Sequence, residues 1–216
     1  MDNISIKKEL PIWILIVIPF VYLAYIWGDL PEQVPIHFSG NGEPDKFRSR
    51  KSLIFITGFM TLFMYALLTL LPQLDPKNKL AQMGNKYQQL KFLLMLFMSI
   101  LGLTIIHSAL TGRINPKITF TIIGVLFTVL GNFFQAIRHN YFVGIRTPWT
   151  LESEFVWKQT HKAAGPLWML GGITISAISF ALPANLVGPS FIGIIGILCI
   201  VPIVHSYILF KREKGK

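Results

Sequence analysis

Apolar residues gather into six runs, at positions 10–28, 52–71, 92–110, 118–137, 163–182 and 190–210, with shorter polar segments between them. Each run holds about 20 residues, the length a helix rising about 1.5 Å per residue needs to cross roughly 30 Å of hydrocarbon. The runs do not alternate apolar and polar residues as membrane strands do, and a chain in lipid must satisfy its own backbone hydrogen bonds. The pattern therefore predicts six transmembrane helices. Pro31, Pro35, Pro72, Pro116, Pro183 and Pro189 mark run ends, whereas Pro19, Pro166 and Pro202 lie inside runs and are expected to kink them. Gly171, Gly172, Gly193 and Gly196 are small enough to let helices approach closely.

Composition agrees with a membrane protein. Of 216 residues 52% are hydrophobic and 14% charged, against roughly a quarter charged in an ordinary soluble domain. One soluble core cannot hide repeated runs of this length from water. The fold class expected is all-α: a polytopic, six-helix transmembrane bundle in a single membrane domain, 1–216, with two ordered long loops. The net charge of +10 raises the question of nucleic acid, but the basic residues sit between runs and at the ends, where they meet anionic headgroups. No direct nucleic-acid partner is expected. Fourteen Lys and Arg fall on the side shared by the termini and six on the other, so both termini are expected in the cytoplasm. The loop 29–51 then faces outward and the loop 138–162 inward. Lys7 and Lys8 precede a run with no small-residue cleavage site, which reads as an uncleaved first span. The lone Cys199 lies inside a run and reads as a small buried hydrophobe, with no disulfide and no thiolate metal cluster.

Most connections are short, so two loops of over twenty residues need a reason. The outward one reads LPEQVPIHFSGNGEPDKFRSR. Pro31 and Pro35 hold it extended and Asn41-Gly42 supplies a tight turn, which implies a folded loop. His37, Glu43 and Asp45 near that turn could approach a metal or cationic ligand, but their spacing is not that of a zinc site, and a solvated turn is the default; no metal or cofactor is expected. The inward loop reads RHNYFVGIRTPWTLESEFVWKQTHKAAG. Asn140 and Gly144 suit turns, Pro148 stiffens the approach to a helix that Thr150 can cap, and Glu152 and Glu154 fall in its first turn. Trp157, His161 and Trp168 recur at helical spacing. That face fits either an interfacial amphipathic helix whose indoles keep their N–H groups wet, or a site where Arg146, Trp149, Trp157 and His161 converge on a ligand or partner.

These two loops carry a resemblance. LPEQVPIHFSGNGEPD resembles the short DUF1648 region, placing a helical pair with its outward loop at 10–71, and GNFFQAIRHNYFVGIRTPWTLESEFVWKQTHKAAG resembles the signature of the SdpI family, placing that region at 118–182. The family is named for the bacterial immunity protein against the sporulation-delaying protein toxin. The resemblance implies a multi-pass bacterial cell-membrane protein that neutralises or senses a secreted, membrane-active peptide toxin. It also implies a second partner, a small cytoplasmic autorepressor captured by the toxin-bound protein. Carried over residue by residue, it points to Pro31, Pro35, His37, Gly42 and Asp45 outside. Inside it points to Asn140, Gly144, Arg146, Thr147, Pro148, Trp149, Thr150, Trp157, Thr160, His161 and Gly165.

Two rivals are weighed against this. A small-solute transporter needs charges inside its spans, yet the six runs contain no Asp, Glu, Lys or Arg, and their only ionisable side chains of that kind are His107 and His205, expected hydrogen-bonded near helix ends. An enzyme needs a reactive constellation, and the chain has no HExxH, no GxSxG and no paired membrane aspartates. No catalytic residue is expected.

Overall fold

A computed structural model describes residues 6–39 and 42–215. Asn41, half of the expected turn, lies outside the described residues, as do Lys216 and the side chains of Lys7 and Lys8. Helix α1 spans Ile6–Tyr25. A hairpin of β1, Gln33–Phe38, and β2, Pro44–Ser49, follows. Helices α2, Ser52–Gly58, and α3, Met64–Leu74, are joined by a π-helical turn at Phe59–Phe63 into one continuous span. Then come α4, Asn85–Thr111; α5, Pro116–Phe133; the short α6, Pro148–Glu152; α7, Glu154–Ala181; and α8, Ala184–Lys214. Among the described residues five helices are long and apolar enough to cross a membrane, and the apolar part of α1, Glu9–Tyr25, is shorter. The protein is an all-α polytopic membrane protein.

Helices outrun the apolar runs because polar residues continue a helix into the headgroup region at no hydrogen-bonding cost. α4 begins at Asn85, about two turns before its run, and α7 begins at Glu154. Pro72 and Pro189, expected between spans, lie inside α3 and α8, which helices in a membrane bundle tolerate.

The chain folds as two compact units, Met1–Thr69 with Gln88–Thr119, and Leu70–Tyr87 with Phe120–Lys216. In the first, Leu23, Ile26, Leu30, Val34, Leu53 and Ile106 form a buried cluster that joins α1, β1, α2 and α4. In the second, Leu80, Met83, Phe134, Ile137, Trp157 and Ala164 do the same around the loop after α5. Much of the outer helix surface is apolar, as with Phe55, Leu170, Phe180 and Ile192, which lipid rather than water would cover.

Within the second unit α5 and α7 pack backbone against backbone. A Cβ on Gly131 would lie 2.6 Å from the Gly165 carbonyl, and one on Gly124 would lie 2.6 Å from that of Gly172. Thr121 and Ser179 hydroxyls bond 2.7 Å apart across the same seam. Small residues drive such pairing because lipid offers helices no hydrophobic incentive to associate. Gly193 and Gly196, expected in close contacts, have open space beside them. Likewise Cys199 is exposed on α8 rather than buried, since an apolar residue of a membrane helix is as much at home on the outer face as in the interior.

Candidate functional site

The loop 29–51 is a two-stranded antiparallel hairpin, with Pro35 opposite Phe47, His37 opposite Lys46 and a bulge around His37. Both ends of the hairpin are tied down. At its base, Arg50 Nη1 donates to the carbonyls of Trp27, at 3.2 Å, and Leu30, at 3.1 Å, with its guanidinium 5.2 Å from the Trp27 ring centroid. At its tip Gly42 is buried, and a Cβ there would lie 2.5 Å from the Ile114 carbonyl. His37 and Asp45 are both exposed, and Nδ1 donates to Oδ1 over 2.6 Å. Among the described residues no three His, Cys, Asp or Glu side chains gather as metal ligands would.

Beside the hairpin's anchor loop, α1 and α4 border a cavity of about 800 Å³. Its wall is largely apolar, including Ile100, Leu103 and Ile118, with Tyr22, His107 and Arg113 as polar groups. Tyr22 Oη and His107 Nδ1 are hydrogen-bonded at 2.9 Å. His107 thus meets a partner near a helix end as expected, whereas His205 lies well inside α8 and its buried Nδ1 has no hydrogen-bond partner.

At the other end of this unit, Glu9 and Lys91 form a buried ion pair, Nζ lying 3.0 Å from each carboxylate oxygen. Gln88 Nε2 also donates to Glu9, at 2.9 Å, and Lys91 Nζ sits 4.3 Å from the Tyr65 ring centroid. Both charges stand one residue outside the apolar runs, which is why the runs read as free of charge. The helices carry them inward because α1 and α4 extend beyond the runs, and each neutralises the other.

The second polar segment, 137–153, is a clasp built on one asparagine. Ile137 is extended, ending the helical turn after α5, and its carbonyl accepts from Trp157 Nε1 at 3.0 Å. Asn140 is fully buried, and its side chain makes four bonds: Nδ2 donates to the carbonyls of Arg138 and Val143, and Oδ1 accepts from the amides of Phe142 and Val143. This exhausts a carboxamide's ordinary capacity and fixes the turn. Gly144 follows at φ 118°, with His161 Nε2 and Trp157 so close that a Cβ would lie 2.5 Å from the former.

His161 completes the clasp. Its Nδ1 lies 2.8 Å from the Trp157 carbonyl, which can only accept, and its Nε2 takes the Ile145 N–H at 3.0 Å. The ring is therefore a neutral imidazole with its proton on Nδ1. It stacks on Trp157 with centroids 4.2 Å apart. His139, also buried, donates from Nε2 to the Leu151 carbonyl. Burial holds its pKa below the ordinary histidine value, the nearby charge of Lys77 adds to this, and the bond to Leu151 opposes it.

The expected cap on Thr150 is displaced. Thr147 is the N-cap of α6, with Pro148 at the first helical position, and Thr150 answers it from the third: the Thr147 amide donates to Thr150 Oγ1 at 2.8 Å. Ser153, not Thr150, caps α7 by accepting from the Val156 amide. The two indoles are not wet: Trp157 is 2% exposed, and Trp168 Nε1 donates to the Leu198 carbonyl. The face expected to lie in the bilayer interface is instead packed inside the unit, because buried carbonyls satisfy each N–H.

Nor do the four residues of the alternative converge. Trp157 and His161 meet, but Arg146 is exposed and donates to the Tyr141 carbonyl at 2.7 Å. Trp149 turns to α8, where its Nε1 donates to Ser206 Oγ and its ring lies 5.2 Å from Tyr207. Thr147 Oγ1 reaches the same hydroxyl at 3.3 Å. Thr160 is fully buried, and its Oγ1 has no partner. Asn140, Gly144, Thr147, Thr150, Trp157 and His161 thus hold one another, and Ser206 anchors them to α8.

A membrane protein with helices on either side of a hairpin and a clasped loop between its fourth and fifth spans is the class this architecture defines. Residues 136–206 match the SdpI/YfhL protein family and residues 14–62 match a domain of unknown function, DUF1648. The SdpI match lies C-terminal to the DUF1648 match and runs from the start of the clasp to Ser206, its anchor. Over 213 residues the chain is 27% identical to the immunity protein SdpI of Bacillus subtilis (strain 168), covering 97% of this chain and 99% of that protein. No solved structure matches it.

Proposed function

We propose that this chain is a membrane immunity protein that neutralises or senses a secreted, membrane-active peptide toxin. The observation that carries the reading is the similarity to the immunity protein SdpI, end to end rather than over one segment. The tied-down hairpin and the cavity beside it supply a surface of the right chemistry. An amphipathic peptide would lay apolar side chains along Ile100, Leu103 and Ile118 and polar groups against Tyr22, His107 and Arg113. The excess of Lys and Arg on the side of the termini orients this surface outward and the clasp toward the cytoplasm. There the exposed Arg146 and Lys158 offer a small repressor a docking face, so that toxin outside shifts a two-state equilibrium read inside.

The test is survival. A sensitive bacterium expressing the chain is challenged with membrane-active peptides, and growth is compared with His37→Ala, Arg146→Ala and Tyr22→Phe with His107→Leu at matched membrane levels. Protection by the wild type that the cavity variant loses supports the reading; no protection from any peptide sinks it. Recovery of cleaved toxin would replace binding with hydrolysis. A second reading, a small-solute transporter, has one observation in its favour: the buried Glu9–Lys91 pair, at the ends of two apolar runs, is a buried charge pair of the kind coupling sites use. Substrate-dependent flux in proteoliposomes, abolished by Glu9→Gln, would select it.

A further inference from the structure

We propose that the cavity behind the clasp is a phosphate site, filled by the phosphodiester of an anionic phospholipid headgroup or by free phosphate. The cavity holds about 360 Å³, and four cations line it: Lys79, Arg138, Lys158 and Lys162. Glu154 is its one carboxylate. Neutralisation does not come from elsewhere. The ion pairs among the described residues join Asp45, Glu9 and Glu152 to other partners. Arg138 Nη1 donates to a neutral acceptor, Gln82 Oε1, at 3.0 Å. Asp75, the buried carboxylate at the start of the Lys79 turn, accepts from the backbone amides of Lys77, Lys79 and Leu80. Trp157 and His161, behind these cations, are uncharged.

A cavity with a surplus of three positive charges is favoured by an anion, and a guanidinium flanked by ammonium groups matches a phosphate's oxygens. Position along the chain says where that phosphate comes from. Arg138 follows the last residue of one apolar run, Lys162 precedes the first residue of the next, and Lys158 is one helical turn earlier. All three therefore stand at the level where lipid phosphates lie, and basic pockets between membrane helices take anionic headgroups there. Bound phosphate would bridge α7 to the segments carrying Lys79 and Arg138, bracing the clasp from behind.

The test uses the full chain purified in detergent. In one arm phosphatidylglycerol is added and retained lipid is counted by native mass spectrometry; in the other inorganic phosphate is added without lipid and thermal stability is followed. Lys158→Gln with Lys162→Gln is compared with Lys46→Gln with Arg48→Gln, which removes equal charge from the hairpin. The expected result is phosphatidylglycerol retention weakened on the order of twentyfold by the cavity pair, about fivefold per cation, and untouched by the hairpin pair. Charge-preserving Lys158→Arg with Lys162→Arg should restore it. Stabilisation by inorganic phosphate that only the cavity pair abolishes, with no lipid retained, supports the site and assigns it to free phosphate. Equal losses from both pairs, or no loss from either, overturn it.

Discussion

Replacing Gly144 by alanine should release the clasp while leaving the helices in place. The backbone there has φ 118°, and the new methyl would lie 2.5 Å from His161 Nε2. A side chain in such a sparsely populated region costs about 1–3 kcal/mol. Moving His161 aside breaks its bond to the Ile145 amide, about 1 kcal/mol, and crowding a packed site adds about 1–3 kcal/mol. Even the low end of these terms, about 3 kcal/mol, is roughly a hundredfold change in a local opening equilibrium. Hydrogen exchange of the protein in detergent reads this directly. The amides of Phe142, Val143 and Ile145, which donate to Asn140 Oδ1 and His161 Nε2, should exchange about a hundredfold faster. Gly84→Ala is the control: φ is 52° but nothing stands within 4 Å of the added carbon, so its effect should be smaller and should spare these amides. Wild-type exchange at the three amides in Gly144→Ala would refute the reasoning.

The buried pair gives a second expectation: Glu9→Gln or Lys91→Met alone should lower thermal stability by about 3–5 kcal/mol through an unpaired buried charge, and Glu9→Gln with Lys91→Met should recover much of it. A melting curve in which the double variant is the least stable would contradict this. Because His139 has a lowered pKa when folded, the unfolded loop binds protons first; the stability this gives is full above about 6.5 and falls as pH drops through the folded value. His139→Gln should flatten that acid slope in exchange at residues 140–145, and an unchanged slope would clear His139 of the role. Gly131→Leu, set against the Gly165 carbonyl, should disrupt α5–α7 packing and lower the yield of folded protein far more than Gly196→Leu, which has open space. Equal yields would show that the seam does not matter.

Six spans were legible because twenty apolar residues in a row leave a chain few choices in lipid. The two ordered loops were legible through length and through Asn140, Gly144 and Pro148, residue types that fix turns. What periodicity could not give was partner choice. Trp157 and Trp168 have the spacing of an interfacial face, but whether an indole N–H meets water or a carbonyl depends on Ile137 and Leu198, 20 and 30 residues away. In the same way Thr147 and Thr150 are three apart and either can cap a helix; Pro148 between them, best placed at the first helical position, was the signal for Thr147. The ion pair went unread because its members stand just outside runs defined by apolarity, 82 residues apart. Glu9 and Lys91, each one residue ahead of an apolar run, are the sequence signal for it.

Opposite exposure of the hairpin and the clasp underlies the proposed function, and single cysteines test it most directly. In a Cys199→Ser background, needed because that thiol is itself exposed, Arg48→Cys and Glu152→Cys are labelled in intact cells with a membrane-impermeant maleimide. The expected result is labelling of Arg48→Cys without lysis and of Glu152→Cys only after the membrane is opened. Labelling of both positions in intact cells, or of neither, would contradict it.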